Sequence, residues 1–448
     1  MNTTDTIAAV STPTGTGGIG VIRISGPEAF DVCGRLFSRD VKSMEANTCA
    51  FGKIAAEDGS VLDEVVVTVF RAPHSYTGDD TAEISCHGGM AVTRAVLERV
   101  LECGARMAEG GEFTYRAFLA GKMDLAEAEA VNDLIKARTE AAAKIALSQM
   151  EGSLSRALLP VRDALTGILA RIEACIDFPE DVPEPPREEL RTEIETALKS
   201  LTDLAATFDG ARLYREGLRV VITGRVNTGK SSLLNALLRS DRAIVTDIEG
   251  TTRDVIEESF TVKGLPVVAV DTAGLRETED KVERMGIDLT RKALEKADII
   301  LFVLDGSREV TPEERAEIES LRDKKVILAV NKIDLNPAAE GDFDLPAVRL
   351  SAETGEGVED LRNMIFDLAG AAEIAPGSAA VANLRHKNAL KGAAESLENA
   401  SETLRSDVPL DLISADVREA LSQTGLILGD ACGEDLLERI FSDFCIGK

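Results

Sequence analysis

Apolar and polar positions alternate in three different ways along the chain. Up to about residue 122, β-branched runs such as Val21-Ile22-Arg23-Ile24 and residues 64–70 are punctuated by glycine. That pattern predicts strands within an α+β domain. From Met123 the character changes to Ala, Glu and Leu at helical spacing. Leu125, Ala128, Val131, Ile135, Ala142 and Ile145 fall on one face, which predicts one long helix. A proline-rich break at 177–187 precedes a further helical stretch at about 188–214. Residues 217 to about 370 alternate short β-branched strands with amphipathic helices, the pattern of a doubly wound α/β domain. A linker at 371–383 then leads back to helices at 384–448.

These shifts divide the chain into 1–122, a helical zone 123–216, an α/β zone 217–376 and a second helical zone 377–448. Each helical zone alone offers a thin core, so the two are expected to pack together with the α/β domain inserted between them. Two separate helical domains are the alternative.

The length of 448 residues suits about three domains. No apolar run approaches the ~18 residues of a membrane span. The start, Met1-Asn2-Thr3-Thr4-Asp5, lacks the basic and apolar regions of a secretory signal, so a cytoplasmic protein is expected. Seven widely spaced cysteines, none in CxxC, argue against a disulfide framework, and three histidines make a Cys/His zinc site improbable. The net charge of −28 disfavours non-specific nucleic-acid binding over a broad surface. Residues 1–122 carry eleven basic and sixteen acidic residues, so −23 lies in the remainder. Any RNA site is therefore expected to be local or shared with a partner.

The candidate chemistry begins after a predicted strand at 219–223. Gly224-Arg225-Val226-Asn227-Thr228-Gly229-Lys230-Ser231 matches G-x-x-x-x-G-K-[ST] and runs into the helical Ser232-Leu233-Leu234. Strand, glycine loop and helix is the context in which backbone N–H groups converge on phosphates. Lys230 should reach the β- and γ-phosphates, and the Ser231 hydroxyl should ligate magnesium. Four further motifs follow in order. Gly250-Thr251-Thr252-Arg253 supplies a threonine for the metal. Asp271-Thr272-Ala273-Gly274 ends an apolar strand with a carboxylate for the metal and an N–H for the γ-phosphate. Asn331-Lys332-Ile333-Asp334 brings Asp334 to guanine N1–H and the 2-amino group, donors that adenine does not offer. Ser351-Ala352-Glu353 presents backbone to guanine O6. Together they predict a guanine-nucleotide-binding domain.

Regulatory GTPases place a water-orienting glutamine directly after D-T-A-G. Here that position is Leu275, so the group must come from elsewhere, with Arg276, Glu277, Glu279, Asp280 and Glu283 as candidates. Asn227 adds a polar ligand suited to a monovalent cation, which would stand where an arginine finger places its charge.

The chain resembles the MnmE (TrmE) family of tRNA-modification GTPases over essentially its whole length. The most specific matches are 17–26 (GGIGVIRISG), Tyr76-Thr77-Gly78-Asp79-Asp80, His87-Gly88-Gly89, Gly121-Lys122-Met123-Asp124-Leu125-Ala126 and the terminal Phe444-Cys445-Ile446-Gly447-Lys448. The resemblance implies an α+β folate-binding N-terminal domain that dimerises, a discontinuous α-helical central domain and an inserted Ras-like P-loop GTPase domain. It implies a homodimer that acts on tRNA with an FAD-containing partner, in a heterotetramer or larger complex. The chemistry implied is addition of an aminomethyl or carboxymethylaminomethyl group to C5 of the wobble uridine, with carbon from a tetrahydrofolate derivative (5-formyl or 5,10-methylene form). GTP hydrolysis would depend on two G domains meeting across potassium. By motif matching, Asn227, Thr246, Ile248 and Thr251 would hold potassium, with Asp247, Glu249 and Gly250 on the same nucleotide-wrapping loop. Ser231 and Thr252 would hold magnesium, and Glu283 would orient the water. Arg23, Glu83, Lys122 and Lys448 would bind folate, and Cys445 would act in or near the modification step. Thr16 and Val226 depart from the family pattern without removing a ligand.

Other motifs are decoys. Gly15-Thr16-Gly17-Gly18-Ile19-Gly20 fits G-x-G-x-x-G, but β-branched residues follow it, and a dinucleotide site needs a helix there. Cys445-Ile446-Gly447-Lys448 lacks the aliphatic residue and terminus of a prenylation box. Cys86-His87 are adjacent strand residues on opposite faces, a structural arrangement. The 123–152 helix reads as core and dimer packing. The rival function is a non-modifying GTPase switch such as a ribosome-assembly factor. Folate binding discriminates the two.

Overall fold

The computed structural model describes residues 4–240, 257–271, 292–335, 344–371, 379–406 and 408–448. The chain forms two compact units. One comprises Met1–Asn132, Met150–Ser155 and Arg418–Lys448, and the other Asp133–Gln149 and Arg156–Val417.

In the first unit β1 (Ile7–Val10), β2 (Ile19–Ser25), β3 (Thr48–Ala55), β4 (Val61–Phe70), β5 (Thr81–His87) and β6 (Arg106–Met107) form one sheet in the order β3-β4-β5-β2-β1-β6. The alternation of β4 and β5 puts Val65, Val67, Val69, Ala82, Ile84 and Cys86 on one face. Helices α1 (Ala29–Gly34) and α2 (Met90–Glu102) cover that face with Phe30, Val32, Val96, Leu97 and Val100. The glycine-rich segment runs straight into β2, so the dinucleotide decoy is a strand entry. Cys86 is buried, and its thiol donates to the Gly20 carbonyl, while His87 is exposed with Nδ1 on Asp63 at 2.7 Å.

Helix α3 (Glu112–Leu119) is anchored by an ion network in which Glu112 and Arg116 are buried and Arg106 and Asp5 partly exposed. Arg106 donates to Glu112 at 2.6 and 3.1 Å and to Asp5 at 2.7 Å, and Arg116 donates to Glu112 at 2.9 Å and to Asp5 at 2.6 Å. The Glu112 side chain is fully buried. The Arg106 hydrogen bond leads in holding Asp5 below the usual carboxylate range. For Glu112, burial pushes upward, but the hydrogen bonds from Arg106, the Glu109 N–H and Arg116 outweigh it, and the net shift is down. Both carboxylates therefore add stability that is full above their unfolded pKa values near 4 and is lost as pH falls below them. Glu112→Gln leaves two guanidinium groups with Asp5 alone. It is expected to cost about 3 kcal/mol at pH 7, the lower end for breaking a buried pair. Urea titrations should show the gap from wild type narrowing towards pH 3.5. A gap independent of pH would refute the ionised network.

The long helix expected from 123 is two helices, α4 (Leu125–Lys136) and α5 (Glu140–Met150). The reason is local: the Thr139 hydroxyl accepts the Ala142 N–H and starts a new helix. The first unit also takes in the chain's end. Within it, Leu125 and Ala128 of α4 pack with Tyr115, Leu437, Phe441 and Phe444.

In the second unit, α6 (Ser153–Asp177) and α7 (Arg187–Ala206) flank the proline-rich break, and α8 (Phe208–Glu216) leads into the α/β region. There β7 (Leu218–Thr223), β8 (Glu257–Val262), β9 (Leu265–Asp271), β10 (Ile299–Asp305), β11 (Val326–Asn331) and β12 (Ala347–Arg349) order as β12-β11-β10-β7-β9-β8. Pairing is parallel except for the β8–β9 hairpin. Strands β10 and β11 are apolar up to their last residues, Asp305 and Asn331, because both their faces are covered. Leu301, Val303, Ile327 and Ala329 pack under α9 (Lys230–Ser240) and α11 (Val358–Ala369). Phe302, Leu304, Leu328 and Val330 form the opposite cluster with Val310, Leu321 and Ile318 of α10 (Pro312–Glu319). Helix α12 (Leu384–Thr403), which follows the α/β region, packs on α7, which precedes it, and Ser401 donates to Glu195 at 3.1 Å. Helix α13 (Leu410–Leu428) begins in this unit, and its end and α14 (Glu434–Ser442) belong to the first. Among the described residues no helix is long and apolar enough to cross a membrane.

Candidate functional site

Two clusters of expected site residues form, one in each unit. In the second unit the carboxyl ends of β7, β10 and β11 present loops to one edge, the position at which open α/β sheets bind ligands. Gly224–Ser231 joins β7 to α9. Lys230 is buried, and its ammonium donates to the carbonyls of Gly224 at 3.1 Å and Arg225 at 2.7 Å, at the mouth of the loop. Gly229 has φ +91, and a Cβ there would collide with Asn331 Nδ2, so the turn into the helix requires glycine.

Asn331 uses both ends of its amide. Nδ2 donates to the Thr228 carbonyl and Oδ1 accepts from the Ala352 N–H, each at 2.9 Å. One side chain thereby ties three of the expected nucleotide loops together. Lys332 donates to the Asn227 carbonyl at 2.6 Å and pairs with Asp305 at 2.7 Å. Burial pushes the Asp305 carboxyl up. Hydrogen bonds from Lys332 and Ser307 outweigh that and hold it below the usual range. Asp334 and Glu353 are exposed at the same edge, Ile333 donates to the Leu350 carbonyl, and Ser351 is fully buried. Asn227 is exposed, with φ +66. Ser231 and Ser232 begin α9 after Lys230.

Thr246, Asp247, Ile248, Glu249, Gly250, Thr251, Thr252, Thr272, Ala273, Gly274 and Glu283 lie outside the described residues, as does the side chain of Asp271.

In the first unit Arg23 of β2 and Glu83 of β5 sit directly opposite each other. The guanidinium donates to Glu83 Oε1 through Nε at 2.9 Å and its second nitrogen lies 2.8 Å from the same oxygen. It also lies 5.4 Å from the ring centre of Tyr76 and 5.6 Å from that of Phe113. The Tyr76 hydroxyl pairs with Thr114 at 2.9 Å, and burial raises its pKa. Lys448 joins the cluster from the far end of the sequence. Burial first, and then the like charge of Arg23, lower its pKa, with Glu83 opposing.

Backbone contacts seat the C-terminal residues. The Phe113 N–H donates to the Lys448 carbonyl at 3.2 Å, and the Ser11 hydroxyl donates to the Gly447 carbonyl at 3.0 Å. Gly447 has φ +96 with its Cα against the Val10 carbonyl, and a Cβ has no room. Cys445 is exposed on this segment, and its carbonyl accepts from the N–H groups of Gly111 and Lys448. Arg23, Glu83 and Lys448 are thus brought together. The Lys122 ammonium donates to the carbonyls of Pro73 at 2.7 Å and Ser75 at 2.8 Å, on the loop that carries Tyr76.

Sequence reasoning missed three of these residues. Tyr76 sits in the quoted 76–80 segment, and Phe113 begins an amphipathic helix, but neither pattern says that its ring faces a guanidinium. Asp305 ends an apolar strand just as Asp271 does, and that shared position was the available signal.

Two family models match the chain: GTP-binding protein TrmE N-terminus over residues 6–122, and MnmE helical domain over 125–445. The chain is 46% identical to tRNA modification GTPase MnmE of Carboxydothermus hydrogenoformans over 99% of each chain. It is 44% identical to the protein of that name from Desulforamulus reducens, again over 99% of each. Among solved structures it is similar over shorter stretches to the G domain of the FeoB iron transporter of T. maritima. That likeness has 30% identity, 34% of this chain, 98% of that one and a TM-score of 0.26. For Era of Aquifex aeolicus the figures are 25%, 43%, 69% and 0.28.

Proposed function

The chain belongs to the MnmE family of tRNA modification GTPases, and from that premise we propose which chemistry each of its two sites performs. The second-unit site binds and hydrolyses GTP. Lys230 and the N–H groups of the Gly224–Ser231 loop hold the phosphates, Asp334 selects guanine, and Ser351, Ala352 and Glu353 close over the base. Ser231 and Thr252 hold magnesium, which neutralises phosphate charge. Asn227, Thr246, Ile248 and Thr251 hold potassium. The exposed amide of Asn227 suits that ligand, being a neutral oxygen donor at the loop's rim. Glu283 orients the attacking water in place of apolar Leu275. Asp247, Glu249, Gly250, Asp271, Thr272, Ala273 and Gly274 serve GTP binding. Turnover requires two G domains to meet.

The first-unit site takes a tetrahydrofolate derivative. The observation that carries this reading is the Arg23–Glu83–Lys448 cluster beside the rings of Tyr76 and Phe113. Glu83 accepts from the ligand's ring N–H groups, and Arg23 and Lys448 offer charge to its carboxylate tail. Lys122 supports the site by holding the Tyr76 loop. A bound tetrahydrofolate supplies the one-carbon unit for C5 of the tRNA wobble uridine, and an FAD-containing partner completes the modification. Cys445, exposed on the seated C-terminal segment, acts in or near the modification step.

The domain division at residues 122, 216 and 376 follows the same reading, with the Ras-like domain inserted in a helical domain. So does a cytoplasmic homodimer acting on tRNA in a heterotetramer or larger complex. In support of the dimer, Ile19, Phe51 and Val66 stand 66%, 55% and 36% exposed on the sheet face opposite the α1–α2 core.

The whole protein is expected to bind 5-formyltetrahydrofolate saturably, measured by equilibrium titration. Arg23→Ala should weaken that binding by at least about ten-fold, the value of one lost charge-assisted hydrogen bond. Absence of binding by the wild-type chain would refute the folate reading.

A further inference from the structure

The turn after β10 does more than end a strand. Asp305 stands opposite Asn331 in the parallel register, and its side chain is only 13% exposed. The Ser307 N–H at 3.0 Å and hydroxyl at 2.6 Å both donate to Asp305 Oδ1, which fixes the carboxylate's orientation. Between them, the Gly306 N–H donates to the Asn331 carbonyl at 2.7 Å. A Cβ on Gly306 would lie 2.7 Å from that same carbonyl, so the turn is packed against the end of β11. Asp305-Gly306-Ser307 is therefore a built support that aims Oδ2 outward.

The group it meets is the Lys332 ammonium, at 2.7 Å. That ammonium's other bond is to the Asn227 carbonyl, at 2.6 Å. Lys332 and Asn227 both hold left-handed backbone, with φ +68 and +66, which non-glycine residues adopt only where their surroundings fix them. One cation links the two strained positions, and one carboxylate holds the cation. Without Asp305 the four-carbon stem of Lys332 is free to carry its ammonium into water. The Asn227 peptide then loses the donor that fixes its plane and the direction of its side chain.

We propose that Asp305 is a positioning residue for the cation site: through Lys332 it holds the Asn227 carbonyl, and so sets the potassium concentration at which GTP turnover is half-maximal. This inference rests on Asn227 being a potassium ligand. It differs from a structural role for the ion pair, which would lower thermal stability and leave the potassium midpoint where it is.

The test is GTP hydrolysis by the full chain at saturating GTP, with potassium exchanged for sodium at constant ionic strength. Wild-type turnover is expected to rise about ten-fold or more from sodium to potassium. Asp305→Asn should raise the potassium midpoint by about five-fold, the effect of one lost hydrogen-bonded contact, with the deficit narrowing as potassium increases. Because the two residues act in series, Asp305→Asn with Lys332→Ala should move the midpoint no further than Lys332→Ala alone. Ser307→Ala keeps every charge and should shift the midpoint in the same direction by less. It carries the test if Asp305→Asn does not fold. An unmoved midpoint in Asp305→Asn, or in Ser307→Ala where that variant stands in, overturns the inference and leaves the potassium site intact. Equal wild-type turnover in the two salts overturns the potassium site itself, and this inference with it.

Discussion

Glu283→Ala is expected to reduce GTP turnover by at least about 100-fold, the scale of a lost proton-transfer or water-orienting group. Affinity for a fluorescent GDP analogue should stay within about two-fold of wild type, the range of a substitution that removes no binding contact. The two quantities separate because different parts of the chain carry them. The proposed nucleotide grip lies at the strand ends, where Lys230 lies in its loop and Asn331 ties Thr228 to Ala352. None of those contacts passes through residue 283. Hydrolysis needs a water held in line, and Leu275, at the position where related GTPases carry glutamine, has no polar atom with which to hold it. Single-turnover hydrolysis beside equilibrium binding reads both. Surviving turnover would transfer the role to another candidate of the same segment, such as Glu279 or Asp280. A parallel loss of affinity would show that Glu283 serves binding.

How far the sequence alone reached depended on the distance over which each feature is encoded. The nucleotide loops after β7 and β11 were legible because each motif is contiguous and follows a strand whose apolar run marks it. Gly224–Ser231 after β7 and Asn331-Lys332-Ile333-Asp334 after β11 are such cases. The first-unit cluster draws on residues 23, 76, 83, 113 and 448, and no local period connects them. Only the family resemblance brought Arg23, Glu83 and Lys448 together, and it left out the rings of Tyr76 and Phe113. The break between α4 and α5 was missed for a related reason. Apolar spacing carries over from Val131 to Ala142, while one hydroxyl, that of Thr139, restarts the helix. Lys122 was expected to bind folate by the family resemblance, and no sequence pattern announced that its ammonium donates to the carbonyls of Pro73 and Ser75.

The second large effect is expected in tRNA. The two sites are built from separate stretches of chain, one around the Arg23–Glu83 pair and one around the strand ends of the α/β region. If GTP hydrolysis drives a one-carbon transfer, damage to either should abolish the same product. Arg23→Ala removes the charge proposed to meet the folate tail and the cation near the rings of Tyr76 and Phe113. Glu283→Ala stops the GTPase cycle without touching that site. Both are expected to reduce the modified wobble uridine to the level of a strain lacking the protein. The net charge of −28 adds a constraint, since tRNA must be engaged through a local surface or through the partner.

Quantitative mass spectrometry of wobble nucleosides in tRNA therefore tests the central claim most directly. Cells lacking this protein should lose the 5-aminomethyl and 5-carboxymethylaminomethyl uridines, the wild-type gene should restore them, and the Arg23→Ala and Glu283→Ala genes should not. Wobble uridines that remain fully modified in the deletion strain would contradict the account.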